Sequence, residues 1–240
     1  GVMTDFAYDC RNRLIRAGET EYEHDAENNR TAKIENGIRE DYVLDRESSL
    51  VQILKTKYSK KNALGLYTSA GDGTIYVYGA GLISQDSDAV ATELNGPNVT
   101  DAPDYLQYHY NNLGSTIMVT DSMGAVKARF QYGTYGELLS ANNLCLKFLY
   151  NGRYGVATDE NGLYYMRARY YNVTIKRFIN RDVVTGSISN SQSLNRYSYV
   201  QGNPINLLDP FGLSPSSDDG GGGDGNEQSF WGKWGHTILD

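Results

Sequence analysis

The run Asn161-Gly162-Leu163-Tyr164-Tyr165-Met166-Arg167-Ala168-Arg169-Tyr170-Tyr171 decides the fold. An Asn-Gly pair accepts positive φ at both central positions of a two-residue turn, and that turn has the twist of the strands it joins. Asn161-Gly162, closing the polar stretch Asp159-Glu160-Asn161-Gly162, therefore predicts a hairpin between aromatic arms. Beyond the turn the side chains alternate. A single strand would carry Tyr164, Met166, Ala168 and Tyr170 on one face, with Leu163, Tyr165, Arg167, Arg169 and Tyr171 on the other.

Upstream, a looser unit recurs: an aromatic residue, a spacer, an aromatic or apolar residue, Asp, then a polar turn. Phe6-Ala7-Tyr8-Asp9 leads to Asn12-Arg13-Leu14, Tyr22-Glu23-His24-Asp25 to Asn28-Asn29-Arg30, and Tyr42-Val43-Leu44-Asp45 to Leu50-Val51. Each copy predicts strand, turn, strand, because Asp and Asn side chains bond the backbone N–H groups of a turn. Degenerate copies start at Tyr76, Tyr108 and Phe130. One hairpin is marginal in water, so the copies must stack side by side. The polar residues 86–103 are expected to form a loop or insertion. Gly1 already falls inside the repeat pattern, so further repeats are expected upstream.

Composition agrees with an all-β chain: of 240 residues, 20 are Tyr and 26 Gly, against 6 Phe and 2 Trp. That length can bury a sizeable core. A net charge of −7 argues against a surface that tracks phosphates, so nucleic acid is not expected as a partner of this segment. Cys10 and Cys145 stand apart with no metal-ligand spacing, and His24, His109 and His236 share no motif, so neither a metal nor a cofactor is expected. No apolar run reaches the roughly 20 residues of a membrane helix. Residues 214–229, rich in Ser, Asp and Gly, are expected to be a flexible linker, and the aromatic residues 230–240 the start of another region.

From Tyr150-Asn151-Gly152 onward the residues resemble the Rhs-associated core of Rhs/YD-repeat proteins. The resemblance runs through residues 162–171, Arg177-Phe178-Ile179-Asn180-Arg181-Asp182, and Asn195-Arg196-Tyr197-Ser198-Tyr199-Val200-Gln201-Gly202-Asn203-Pro204, ending on Asp209-Pro210-Phe211-Gly212-Leu213. It implies YD repeats over residues 1–147 and a core segment over 148–213. The hairpins would spiral into part of a hollow shell closed by that core, around the chain's own C-terminal toxin as cargo, with further Rhs repeats and possible secretion-system components as partners. Delivery would be to the outside of a bacterial cell. Residues 230–240 resemble the opening of the pre-toxin region. In toxin members of the family the chain cuts itself after a DPxGL motif by an aspartyl activity, which here implies a break between Leu213 and Ser214.

Hydrolysing an amide without a metal calls for two carboxyls of split ionisation, one taking a proton from water and one donating to the leaving nitrogen. Asp182 and Asp209 stand at the family's two acidic positions, and Arg181, by resemblance, assists them. Gly212 frees the backbone to bend and Pro210 restricts Asp209. The link over residues 183–193 is longer than the family's usual one. Beside this stands a plainer reading. Asp209-Pro210 is also a turn signal, Asp182 can pair with Arg177 or Arg181, and the tyrosine pairs serve as wall packing. On that reading the chain is a non-catalytic module that binds a glycan or a partner protein.

Overall fold

The computed structural model describes residues 5–87, 105–140, 144, 146–184, 191–213 and 215–217. Stacked hairpins build one antiparallel sheet of 11 strands whose order in space is their order in the chain. They are β1 (Phe6–Tyr8), β2 (Leu14–Ala17), β3 (Thr20–His24), β4 (Arg30–Glu35), β5 (Ile38–Asp45), β6 (Gln52–Lys61), β7 (Tyr67–Tyr78), β8 (Leu82–Ser87), β9 (Tyr105–Tyr110), β10 (Thr116–Thr120) and β11 (Val126–Arg129). A short pair follows, β12 (Gln131–Tyr132) with β13 (Leu138–Ser140). Next come four strands, β14 (Ala157–Thr158), β15 (Leu163–Met166), β16 (Arg169–Asn172) and β17 (Arg177–Phe178). Last, β18 (Leu207–Leu208) pairs with β19 (Ser216–Ser217). Among the described residues there is no α-helix.

The repeat signature is a turn device. Oδ1 of Asp9 accepts the N–H groups of Arg11 and Arg13, each at 2.9 Å, and Oδ1 of Asp25 accepts that of Asn29 at 2.8 Å. Asn62, Asn111 and Asp121 do the same between later strands. Asn36 and Gly37, at φ 52 and 75, form a two-residue turn that joins β4 to β5, whereas at Asn161-Gly162 only Gly162 is left-handed, φ 82, and the hairpin closes through the four residues Asp159 to Gly162. Asp86 and Ser87 belong to β8, and the rest of the expected loop lies outside the described residues. Cys145, Ser214 and residues 218–240 lie outside them too.

Residues 163–171 are not one strand. They fold back as the hairpin β15–β16, registered Tyr165 to Tyr170 and Met166 to Arg169. The turn is made by Arg167, whose φ is 52, and Ala168. Neither is a turn residue by type; distant groups hold the conformation, as described below. Both faces of this hairpin are buried. Leu163, Tyr165 and Tyr170 join a cluster with Leu14, Tyr22, Tyr42, Tyr76, Leu106 and Val119 from one face of the large sheet. Tyr164, Met166 and Tyr171 pack instead with Tyr150, Phe178, Tyr199 and Val200. The tyrosines are therefore packing residues, and the core segment lies on the sheet through a shared apolar cluster.

One ion pair sits inside that contact. Arg30 of β4 reaches Asp159 at 2.6 Å with both side chains wholly buried, and Tyr22, Tyr42, Tyr165 and Tyr170 surround the guanidinium. Nearby, burial and then the positive charges of Arg30 and Arg13 lower the His24 pKa from the usual 6.5 to about 4. The unfolded chain thus binds this proton more readily than the folded one between those values. Stability from neutral His24 is complete above pH 6.5 and lost as pH falls toward 4, amounting to at most about 3 kcal/mol. In urea unfolding at pH 7 and 4.5, His24→Gln should lose less stability on acidification than the parent chain. Equal losses would show that His24 does not carry this effect.

Candidate functional site

The motif Asp209-Pro210-Phe211-Gly212-Leu213 forms a turn docked on the β15–β16 bend. Pro210 presets the turn, and the Gly212 N–H donates to the Asp209 carbonyl at 3.1 Å. Three successive carbonyls of the motif then accept from three successive residues of the bend. Arg167 Nη1 donates to Pro210 O at 2.7 Å, the Ala168 N–H to Phe211 O at 3.1 Å, and Arg169 Nε to Gly212 O. The remaining donors of Arg167 go to Val51 O and Tyr154 O, which explains why an arginine occupies a left-handed turn position. Gly212, at φ 68, lies so close to Met166 O and the Arg169 nitrogen that a Cβ would overlap them.

Arg169 is the centre of the cluster. Its Nη1 lies 2.8 Å from Asp182 Oδ2 and its Nη2 3.2 Å from Asp209 Oδ2. Beneath it, the Phe178 ring centre is 3.7 Å from the guanidinium carbon. Asp209 is 1 % exposed, and its second oxygen accepts the Leu213 N–H at 3.0 Å. Asp182 is held through its backbone by Arg196, whose carbonyl takes the Asp182 N–H at 3.0 Å and whose Nη2 donates to Asp182 O. Its Oδ1 accepts the Val184 N–H at 2.8 Å.

Two effects oppose each other at Asp182. Burial penalises its charge, while Arg169, the Val184 N–H and Arg196 favour it; burial prevails and the carboxyl sits above its usual range. Burial also lowers the Arg169 pKa, with Asp209 and Asp182 opposing. The cluster therefore has one carboxyl biased toward holding a proton, and another, Asp209, whose two oxygens both accept N–H bonds.

Of the residues singled out from sequence, Asp182, Asp209, Pro210, Phe211, Gly212 and Leu213 meet at this bend. Arg181 is exposed, and its carbonyl accepts from Asn12 Nδ2 at 3.2 Å. Asp182 pairs with Arg169, rather than Arg177 or Arg181. Ser214 lies outside the described residues. Arg167, Arg169 and Arg196 were not among the sequence candidates. Two arginines inside a run of buried tyrosines were the available signal, since an aromatic wall has no use for charges without partners.

No family model matches the chain. It is 30% identical over 235 residues to the tRNA nuclease WapA of Bacillus subtilis (strain 168), taking in 86% of this chain and 10% of WapA. It is 34% identical over 131 residues to the toxin subunit YenC1 of Yersinia entomophaga, covering 53% of this chain and 13% of YenC1. The crystal structure of TcdB2-TccC3 superposes with a TM-score of 0.63 over 88% of this chain and 10% of that chain, at 20% identity. The chain has an Rhs/Tc-type, toxin-associated fold. This Rhs/Tc-type domain spans about a tenth of the length of the WapA relatives it matches. Its all-β hairpin architecture is that of the shell seen in Tc toxin neighbours.

Proposed function

We propose that this domain is the C-terminal part of a toxin-encapsulating shell and that it cuts its own chain once, between Leu213 and Ser214, to free a downstream toxin inside the cage. The supporting observation is the position of Asp209: it shares Arg169 with Asp182 and accepts the N–H of Leu213, the residue before the bond to be cut. Asp182, raised by burial, is the acid, and Asp209 the base. Water adds its oxygen to the Leu213 carbonyl carbon while Asp209 takes one of its protons. The Leu213–Ser214 C–N bond breaks, and the proton of Asp182 passes to the departing Ser214 amine. Because the bond belongs to the same chain, a large effective concentration lets a modest site suffice for one turnover.

The cargo is then a toxin continuous with this chain, enclosed by repeats upstream of it and delivered outside the cell. The test is to express the chain with its upstream repeats through Asp240 and measure its mass. A break at Leu213 is expected, slowed roughly 100-fold or more by Asp182→Asn or Asp209→Asn, in line with loss of a general acid or base. An intact parent chain, or a break indifferent to both substitutions, would leave a purely structural shell module.

A further inference from the structure

The β14–β15 turn meets the large sheet through three successive residues. Asp159 takes Arg30 of β4, Glu160 takes Lys33 of the same strand, and Asn161 Nδ2 donates to the Tyr22 hydroxyl of β3 at 2.7 Å. A further carboxyl, Glu35 at the end of β4, stands in hydrogen-bond contact with Glu160. We propose that Glu35 is a proton-operated clasp between the large sheet and the core segment: with a proton it donates to Glu160 and holds the β14–β15 turn down, and without one the two carboxylates repel and the contact loosens. The clasp operates whether or not the chain is cut.

A hydrogen bond between two carboxyls exists only while one of them holds a proton. The neighbours decide which. Glu40 of β5 accepts Lys147 Nζ at 2.8 Å and the hydroxyls of Tyr42 and Tyr58 at 2.9 and 3.2 Å. Burial opposes its charge, and Lys147 and Lys33 outweigh burial, so Glu40 stays ionised. Burial opposes the charge of Glu160 too, yet Lys33 and Lys147 bring that carboxyl down to about 2. Glu35 has the weakest support, the Thr20 hydroxyl at 3.0 Å and the Lys33 ammonium at 3.7 Å, and Lys33 stands closer to Glu160. Burial raises the Glu35 carboxyl, Lys33 opposes, and the charge of Glu160 pushes it up again.

The charge count agrees. Glu35, Glu40 and Glu160 face the two ammoniums of Lys33 and Lys147, which leaves one negative charge in excess. One proton on Glu35 removes it. The side chains of Glu35 and Glu160 are 23 % and 47 % exposed, so that proton exchanges freely with solvent, whereas Glu40 is 5 % exposed. Because the folded chain keeps this proton where the unfolded chain has lost it, the clasp is closed below the ordinary Glu value of 4.5 and opens as pH rises through the raised one. His24 works in the opposite direction, losing its contribution on acidification. A plain titration of stability would therefore mask both, and the clasp is read by substitution.

The test is amide hydrogen exchange over residues 157–166 in the chain carrying its upstream repeats, taken as the ratio of variant to parent at one pH so that intrinsic exchange chemistry cancels. Glu35→Gln is neutral at every pH and keeps an N–H donor toward Glu160. At pH 7.5 it is expected to slow exchange in this segment by about twofold to tenfold, the contact being partly exposed. The ratio should return toward one as pH falls to 5 and the parent takes up its proton. With Glu160→Ala already in place, adding Glu35→Gln should change nothing, since the clasp has no acceptor. Exchange in Glu35→Gln equal to or faster than in the parent at pH 7.5, a ratio that does not move with pH, or a slowing that persists beside Glu160→Ala would each overturn the proposal.

Discussion

Replacing Arg30 by methionine is expected to cost about 3–5 kcal/mol of folding stability, because it strands Asp159 as a buried charge with no counter-ion. The pair has nothing to fall back on: both side chains are wholly buried. Among the described residues, Asp159 Oδ1 and Arg30 Nε and Nη2 already lack hydrogen-bond partners. For a chain of this size the loss corresponds to a fall in Tm of about 10 °C. The double variant Arg30→Met with Asp159→Leu should recover most of it, since removing both charges also removes two desolvation penalties. Thermal unfolding of the two single variants and the double variant decides the matter. If the double variant loses the sum of the two single losses, the residues act independently and the ion pair is not what joins β4 to the core segment.

Gly212→Ala is expected to undock the motif. The left-handed φ of 68 costs an alanine about 1–2 kcal/mol by itself, and its Cβ would also press on Met166 O and the Arg169 nitrogen. Of these, the overlap matters more, because it forces apart the backbones joined by the Ala168–Phe211 bond and pulls the Gly212 carbonyl from the Arg169 side chain. Gly162→Ala supplies the comparison: φ there is 82, yet a Cβ meets nothing within 4 Å. Both variants bear the backbone strain and only one bears the overlap. Faster amide hydrogen exchange at Leu213 and a break slowed about 100-fold are expected for Gly212→Ala, while Gly162→Ala should cut like the parent. Equal behaviour of the two would mean that close packing at Gly212 does not hold the motif.

What could be read from sequence was whatever the chain decides locally. Asp9, Asp25 and Asn111 bond amides within four residues of themselves, so the hairpins they close are written in adjacent letters. The Asn161-Gly162 turn is equally local. The bend at Arg167 is the opposite case, since its left-handed conformation depends on Val51, Tyr154 and Pro210, and nothing in Met-Arg-Ala-Arg announces a turn. The same distinction separates Asp209, legible inside its motif, from Arg169, whose carboxyl partners lie 13 and 40 residues away along the chain. Arg30 and Asp159 are farther apart still, and neither position alone signals a buried pair.

The two-rung ladder β18–β19 joins Leu207 to Ser217 and Leu208 to Ser216, one strand on each side of the motif. Opening the loop between Leu213 and Ser214 would therefore nick a closed hairpin without parting its arms. The newly made N-terminus would stay laced to Leu207 and Leu208 through this ladder. Departure would then be a peeling event that needs no further chemistry, governed by tension on the downstream chain, and the timing of escape could be set by traction rather than by the cut.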